Sequence, residues 1–486
     1  MQKKTELRRV TCFFLIIASF LSAYGSGPAL KHTAWTQTCS VAQTLDKVPG
    51  MTKGKLQKIS DGANAAERTA LKLIIMATQT TNRKEKVAYR SLAKTIATTG
   101  DTLKAKLEST MDKAIEATAQ AANLAGQINE FVTFLDGAAL GGTETGGCLA
   151  EATTGNIADH ATITAAGCRK DTPVYPATES SLETCDFSKT GFPKAGGVSD
   201  AKDSSATAKC ILFHHSGTTG AARFYQHQTK VTHLGGYLEI TSGAGSTTLV
   251  LKSLAAIAKD GVHTSGQLLG EIYTPLATLN SEDTTEIKTT DESIIKSAAA
   301  ASTLEAAVQE ALKLANPETD QEKMKEEAAD IIKEFVGSEN PKGSKAWETI
   351  KATKVKGTEA KPETEKELKD ITHNAKLVSA LNYYINNAES KLQEAEAKLA
   401  AAKTAAEKVP TAPKPDECKA KKGDTCKDGC KWDSDGENKK CVVDPHFVKK
   451  EVEGGEKDSK TGTQNTTGSN SFLINKSTLL LAFLLI

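Results

Sequence analysis

Aromatic residues are scarce in this chain, and an excess of charge of either sign is absent. Phe, Trp and Tyr make up 5% of the 486 residues, and 61 basic and 60 acidic side chains leave a formal net charge of +1. A nucleic-acid-binding surface needs a basic patch interleaved with aromatic residues, and the sequence offers no such pattern. Few aromatics with abundant Ala and Thr favour helical rods with thin cores over a globular enzyme.

The sequence signatures of catalysis are missing as well. There is no Gly-x-Ser-x-Gly elbow, no phosphate-binding loop and no dinucleotide fingerprint. His214, His215, His227 and His233 lie in a glycine-rich stretch, but their spacing matches no metal-binding motif, which favours exposed loop histidines. Residues 433–437 are similar to the start of a calcium loop, yet the Gly and Glu that should follow are absent. We therefore expect neither an enzyme nor a cofactor.

The chain does contain helical periodicity of the coiled-coil type. Small and apolar residues recur in steps of three and four from Leu56 to Val87, from Leu107 to Leu135 and from Ile371 to Ala402. Because residues repeating every 3.5 positions stay on one helix face, each run predicts a long helix packed against another. A turn predicted at Thr99–Asp101 joins the first two runs into an antiparallel hairpin, with Met111 in its core. The third run is expected to return alongside this hairpin.

Between Gly137 and Gly245 the periodicity disappears, and Gly, Ser, Thr and Pro dominate. Long loops of this kind are stapled by disulfides in secreted proteins. The cysteines available in this region are Cys148, Cys168, Cys185 and Cys210. The remaining pattern predicts a short strand near Tyr237–Thr241 and helices over Thr247–Lys259, Thr284–Leu314 and Lys323–Phe335.

A proline-rich linker, 406–417, precedes a small module at 418–445 and a flexible polar tail at 446–469. The module is rich in charge and must be cross-linked to fold, because it lacks an apolar core. Its cysteines do not form the paired Cys-x2-Cys spacing of zinc sites, so in a secreted protein they predict two disulfides with three possible connectivities. The four residues are Cys418, Cys426, Cys430 and Cys441.

Both ends of the chain carry targeting signals. Basic residues followed by an apolar run from Val10 to Leu21 form a secretory signal peptide, assigned to residues 1–25. Small residues before an apolar tail, 470–486, form the pattern of a GPI-attachment signal, whose tail is replaced by a glycolipid. The final apolar run is too short to span a bilayer. We therefore expect an extracellular protein held in the outer leaflet of the plasma membrane by lipid, with an N-linked glycan on the sequon at Asn465.

Taken in their order along the chain, from the signal peptide to the GPI-attachment signal, these segments resemble the variant surface glycoproteins of African trypanosomes. The N-terminal domain is similar to class A. The resemblance covers the whole chain. It implies a mainly α fold, in which residues 26–405 form an elongated antiparallel coiled-coil hairpin and bundle with a Cys/Gly-rich loop region, followed by the small disulfide-rich domain. The residues that carry it are Trp35 with Cys39, Gly146–Cys148, Asn374–Leu377, Asn382–Tyr384 and Ser469–Ile474.

The same resemblance implies a disulfide pairing. The class with this cysteine layout joins the first cysteine to the third and the second to the fourth. Here this implies Cys39 with Cys168 and Cys148 with Cys210, and Cys185 is left as an unpaired candidate.

The resemblance also implies the anchor, the partners and the function. Family members with this short signal are cut before Asn-Ser-Phe, which places the GPI anchor on Ser469. The implied protein is a homodimer that forms a dense coat with neighbouring copies, meets host antibodies and evades host immunity by antigenic variation. A nutrient receptor of the transferrin or haemoglobin type, built on the same scaffold, is the alternative.

Overall fold

The structure is a computed structural model, and the chain divides into two compact units, Met1–Ala388 and Glu389–Ile486. The residues that the structure describes are 27–138, 146–152, 156–168, 175–178, 181–182, 187–188, 190–204, 209–213, 230–243, 246–255, 268–339, 341–359, 361–407, 413–434 and 439–444.

Helices dominate the first unit. Its α-helices are α1 (His32–Leu45), α2 (Val48–Gln79), α3 (Arg83–Gly137), α4 (His160–Ala165), α5 (Leu268–Ser281), α6 (Asp291–Ala300), α7 (Thr303–Ala315), α8 (Gln321–Ile331), α9 (Ser344–Ala352) and the first part of α10 (Asn374–Glu407). Its strands are β1 (Gly27–Leu30), β2 (Lys202–Asp203), β3 (Lys209–Cys210), β4 (Val231–His233), β5 (Leu238–Gly243), β6 (Ser246–Leu251), β7 (Lys354–Val355) and β8 (Lys366–Glu367).

The long helices α2 and α3 form an antiparallel hairpin, as predicted, but the first periodic run, Leu56–Val87, crosses from α2 into α3 instead of lying within one arm. The hydroxyls of Thr52 and Thr118 lie 3.0 Å apart across it. At about 1.5 Å per residue, the 55 residues of α3 extend for roughly 80 Å. One apolar core lies at each end of this hairpin. The first core contains Trp35, α5 and the strands β5 and β6, and the second contains α6 to α9 with the start of α10.

The turn of the hairpin lies at residues 80–82, and the prediction of a turn at Thr99–Asp101 was wrong. Asn82 caps the N-terminus of α3, because its side-chain oxygen accepts hydrogen bonds from the backbone N–H groups of Lys84 and Glu85 at 3.0 and 3.4 Å. Gly100 lies inside α3 and is buried. A Cβ there would lie 3.3 Å from the Cβ of Ala66. This glycine therefore allows the two helices to approach closely and does not end a helix.

Other predicted elements also need correction. Residues 246–251 form strand β6 instead of the start of a helix, because Leu249 and Leu251 pack into the first core while the strand pairs antiparallel with β5. The helix predicted over Thr284–Leu314 is two helices, α6 and α7, separated at residues 301–302. The strand predicted near Tyr237 is β5, which lies centrally in the sheet β4-β5-β6.

The helix predicted around the third periodic run is α10, but only its first part packs as predicted. Leu377 and Leu381 are buried in the second core, and Ile385 lies half-buried against it. From residue 386 to 404 every residue is exposed. The prediction that Leu392 and Leu399 are packed side chains was therefore wrong, since they are 55% and 58% exposed.

The second unit contains the remainder of α10 and a small cysteine-rich module. In the module a short helix, α11 (Pro415–Lys419), precedes an antiparallel hairpin of β9 (Cys430–Asp433) and β10 (Lys440–Val443). The division between the two units falls after Ala388, within α10 and before the linker predicted at 406–417.

Candidate functional sites: disulfides, buried lysines and exposed helix faces

Two disulfides staple the loops of the first core. Cys39 of α1 is bonded to Cys168, with their Cα atoms 4.7 Å apart, and Cys148 is bonded to Cys210, with a Cα separation of 4.4 Å. These are the pairs that the family resemblance implied. All four residues are fully buried. The bonds close loops with sequence separations of 129 and 62 residues, and in the chain-entropy model each stabilises the fold by about 4–5 kcal/mol.

The first described strand is fixed directly beside these disulfides. The backbone N–H of Leu30 donates to the carbonyl of Cys148 at 2.7 Å, and the N–H of Ala150 donates to the carbonyl of Leu30 at 2.9 Å. The indole of Trp35 donates to the carbonyl of Ala150 at 2.9 Å, so the buried ring leaves no polar atom unpaired. The start of the described chain is therefore held in the first core by strand pairing, an aromatic anchor and disulfides together.

The structure defines the disulfide connectivity of the C-terminal module, for which the cysteine spacing allowed three possibilities. Its bonds are Cys418–Cys430 and Cys426–Cys441. Among the described residues of the module, the apolar cluster consists of the four cysteines and Val443. Cross-links thus take the place of a core, and each bond stabilises the module by about 3 kcal/mol in the chain-entropy model.

Two lysines of α2 are buried, which sequence patterns did not predict. The ammonium of Lys55 donates to the backbone carbonyls of Asn280 and Glu282, at the C-terminal end of α5. The last carbonyls of a helix have no partner within it, so this lysine caps α5 and complements its dipole. Burial lowers the pKa of Lys55, while the negative charges of Glu282 and Asp283 act in the opposite direction.

The second buried lysine, Lys72, connects three elements of the second core. Its ammonium lies 2.7 Å from a carboxylate oxygen of Asp291, the first residue of α6, and donates to the carbonyl of Lys369 at 2.9 Å. The hydroxyl of Thr69 donates to the other oxygen of Asp291 at 2.7 Å. The lysine side chain is 1% exposed and that of Asp291 is 13% exposed. This buried ion pair fixes α6 and the segment before α10 against α2.

Of the histidines considered as metal ligands, His233 lies at the end of β4, stacked on Phe131 with 5.2 Å between ring centroids. Burial lowers its pKa. His214, His215 and His227 lie outside the described residues. Within the described part of the chain, no group of three or more His, Cys, Asp or Glu side chains is arranged to hold a metal ion.

One face of α3 exposes apolar and small residues along its outer side. Met111 and Ile115 are 43% and 62% exposed, so the prediction that Met111 is a core residue was wrong. Ala119, Ala122 and Gly126 continue the same face in helical steps of four and three, and all are exposed. Among the described residues, no side chain and no backbone outside the neighbouring turns of α3 lies within 4 Å of the position that a Cβ on Gly126 would take. The surface formed by these five residues is called the α3 face below.

Three predicted sites fall outside the described residues: the anchor site Ser469, the sequon at Asn465 and the unpaired candidate Cys185. The signal peptide and the apolar C-terminal tail fall outside them too. No helix in the described ranges has the length and apolar character needed to cross a bilayer.

Known proteins are similar to this chain in its N-terminal and its C-terminal regions. A family model of the trypanosome variant surface glycoproteins of A-type matches residues 11–385, and a second, described as variant surface glycoprotein ETAT, matches residues 431–486. Variant surface glycoprotein MITAT 1.2 of Trypanosoma brucei brucei is 27% identical over 465 residues, which cover 94% of this chain and 93% of that protein. Variant surface glycoprotein ILTAT 1.1BC, from the same organism, is 51% identical over 75 residues, or 14% of this chain and 16% of that protein.

A solved structure has the same fold. The structure of MITat 1.1 superposes with a TM-score of 0.58 and 20% sequence identity, over 77% of this chain and 100% of that one. Together with the family match over residues 11–385, the likeness covers the hairpin and both of its cores. The chain belongs to the A-type family of trypanosome variant surface glycoproteins.

Proposed function

We propose that this protein is a GPI-anchored coat protein whose role is steric and antigenic. The observation that carries the proposal is the long helical hairpin with disulfide-stapled loops in the first core, in a chain whose relatives are variant surface glycoproteins. A rigid spacer of this kind separates surface loops from a membrane attachment. Dense packing of such copies would shield other surface proteins, and changes in exposed loops would alter what antibodies meet without disturbing the packed seam.

The proposed lipid anchor can be tested directly by analysing the C-terminal peptide of the mature protein. Ser469 precedes Asn-Ser-Phe and the apolar tail, and this supports attachment of the glycolipid at its carboxyl group. Mass spectrometry of the mature C-terminal peptide should find a glycolipid on Ser469 and no residue beyond it. A peptide that continues to Ile486 would overturn the anchor, and a glycan on Asn465 would be detected in the same digest.

The proposed homodimer uses the α3 face. An apolar helix face of five exposed positions is covered when a second copy packs against it, since small residues such as Ala122 and Gly126 allow close approach of two helices. We expect Ile115→Glu to convert the dimer to monomer in sedimentation equilibrium. Glu116→Gln, an exposed change beside it, should leave the dimer unaffected.

The receptor alternative predicts a different behaviour. A nutrient receptor needs a concentrated surface of aromatic or arginine side chains for its ligand. Immobilised recombinant protein exposed to host serum should retain no stoichiometric partner. Retention of one defined serum protein, lost on competition with that protein in free form, would favour the receptor and contradict the coat.

A further inference from the structure

The exposed part of α10 has the sequence of one helix of a coiled coil, but its apolar side chains lie open to solvent in the described structure. Its core positions repeat in steps of four and three, and all of them are exposed: Ala388, Leu392, Ala395, Leu399 and Ala402. The leucine side chains are 55% and 58% exposed. Exposing leucine side chains to water is unfavourable for an isolated helix. Leucines repeated every seven residues are typical of a coiled-coil interface that a second helix covers.

We infer that these five positions, named the α10 seam, form a parallel, in-register coiled coil with the α10 seam of a second copy of this chain. The inference rests on the proposed homodimer and adds a second contact to it, with a defined orientation. The seam covers about 21 Å at 1.5 Å per residue. A coiled coil this short is marginal by itself, so it strengthens a dimer whose main contact lies on the α3 face.

The charges beside the seam select the parallel orientation. With leucines at position a, Lys391 falls at position g and Glu396 at position e of the next heptad. In a parallel pair these positions face each other across the interface, so each Lys391 meets the Glu396 of the other copy, twice by symmetry. The other such pair places Lys398 opposite Lys403, also twice, and this contact is repulsive. The ion pair of Lys398 with Glu394 of its own helix, at 2.8 Å, is present in either orientation.

An antiparallel arrangement would bring like charges together. When the same core positions overlap in opposite directions, g faces g and e faces e. Lys391 would then lie opposite Lys398, and Glu389 opposite Glu396, each twice. The parallel pair thus has two attractive and two repulsive contacts, and the antiparallel pair has four repulsive ones, so a parallel pair of copies fits this surface better.

Cysteine cross-linking of the purified full-length chain tests the inference. Leu399→Cys places two thiols face to face in the parallel pair, whereas in the antiparallel pair they lie about 16 Å apart. Under mild oxidation Leu399→Cys should give a disulfide-linked dimer as its main product. Ala397→Cys, an exposed residue on the outer side of the same helix, should give no more linked dimer than the parent, whose own linked fraction sets the background.

The outcomes separate this inference from the proposed function. A parent that sediments as a dimer while Leu399→Cys stays unlinked would overturn the seam and leave the homodimer standing. A parent that is monomeric at every concentration would overturn both. Linked dimer from a mixture of Ala388→Cys and Leu399→Cys chains, and not from Leu399→Cys alone, would overturn the parallel orientation.

Charge variants give an independent readout. Lys391→Glu places a carboxylate opposite Glu396 of the other copy, and the dissociation constant of the dimer should rise roughly tenfold. Lys391→Glu combined with Glu396→Lys should restore the parent value, because the exchanged charges again attract. No change in the single variant, or no rescue in the double variant, would contradict the seam.

Discussion

Removing the buried ammonium of Lys72 should destabilise the second core far more than removing an equally well-formed ion pair at the surface. Lys72→Met retains most of the packed volume but leaves the carboxylate of Asp291 and the carbonyl of Lys369 without their cationic partner. Losing one partner of a buried pair costs about 3–5 kcal/mol. We expect about 3 kcal/mol, because Asp291 retains its bond from Thr69 and lies in the first turn of α6, where the helix dipole favours negative charge.

The chain contains a matched control. Lys94 of α3 and Glu310 of α7 lie 2.6 Å apart, a separation similar to that of the buried pair, but both side chains are 57% exposed. Lys94→Met should therefore cost less than about 1 kcal/mol. The free energy of unfolding is measured by urea denaturation of the full chain, and hydrogen–deuterium exchange in α6 locates the loss. Equal shifts for the two variants would refute the assignment of Lys72 as a buried electrostatic tether.

A double variant extends the test. Asp291→Asn combined with Lys72→Met removes both charges together, so no uncompensated charge stays buried. We expect its destabilisation to be smaller than the sum of the two single changes by about 1–2 kcal/mol. Strict additivity would mean that the two side chains contribute through packing alone.

Three further predictions concern the buried residue Ala70 of α2, His233 and the C-terminal module. Ala70→Glu places a charge in the second core and should cost more than about 3 kcal/mol, whereas the exposed change Gln57→Glu should cost less than about 0.5 kcal/mol in the same urea titration. Burial lowers the pKa of His233, so the unfolded chain takes up a proton at higher pH than the folded chain. Stability should fall as pH decreases through 6.5, and His233→Phe, which keeps a ring on Phe131, should lessen this dependence. Changing Cys426 and Cys441 together to Ser should abolish amide protection in β9 and β10 and leave the melting of the first unit unchanged, as nuclear magnetic resonance or hydrogen exchange would detect.

The periodic pattern predicted the fold class because its physical cause is local. Residues repeating every 3.5 positions must share a helix face, and the run Leu107–Leu135 does lie within α3, whereas the run Leu56–Val87 crosses the turn between the two arms. It could not place the turn, since Gly100 looks like a helix breaker in sequence and only contact with Ala66 across the hairpin explains its presence. Asn82, which caps α3, could not be singled out from the sequence because most residues near it are also polar.

Side chains that depend on distant partners were not predictable in the same way. Lys55 and Lys72 lie on the inner side of α2, but their partners are more than 200 residues away in the chain. A lysine inside an apolar run is a weak signal of burial, because its stem can pack while its charge reaches water. The exposed α10 seam is the converse case. Its pattern is that of a packed helix, and the pattern cannot say whether the partner is the same chain or another copy.

The distribution and abundance of the protein on intact cells test the central proposal most directly. Surface labelling of cells that express this chain, followed by gel analysis and imaging, measures both quantities. The coat proposal predicts that this one species dominates the labelled surface protein and covers the whole cell evenly. Scarce copies confined to an endocytic pocket would contradict it.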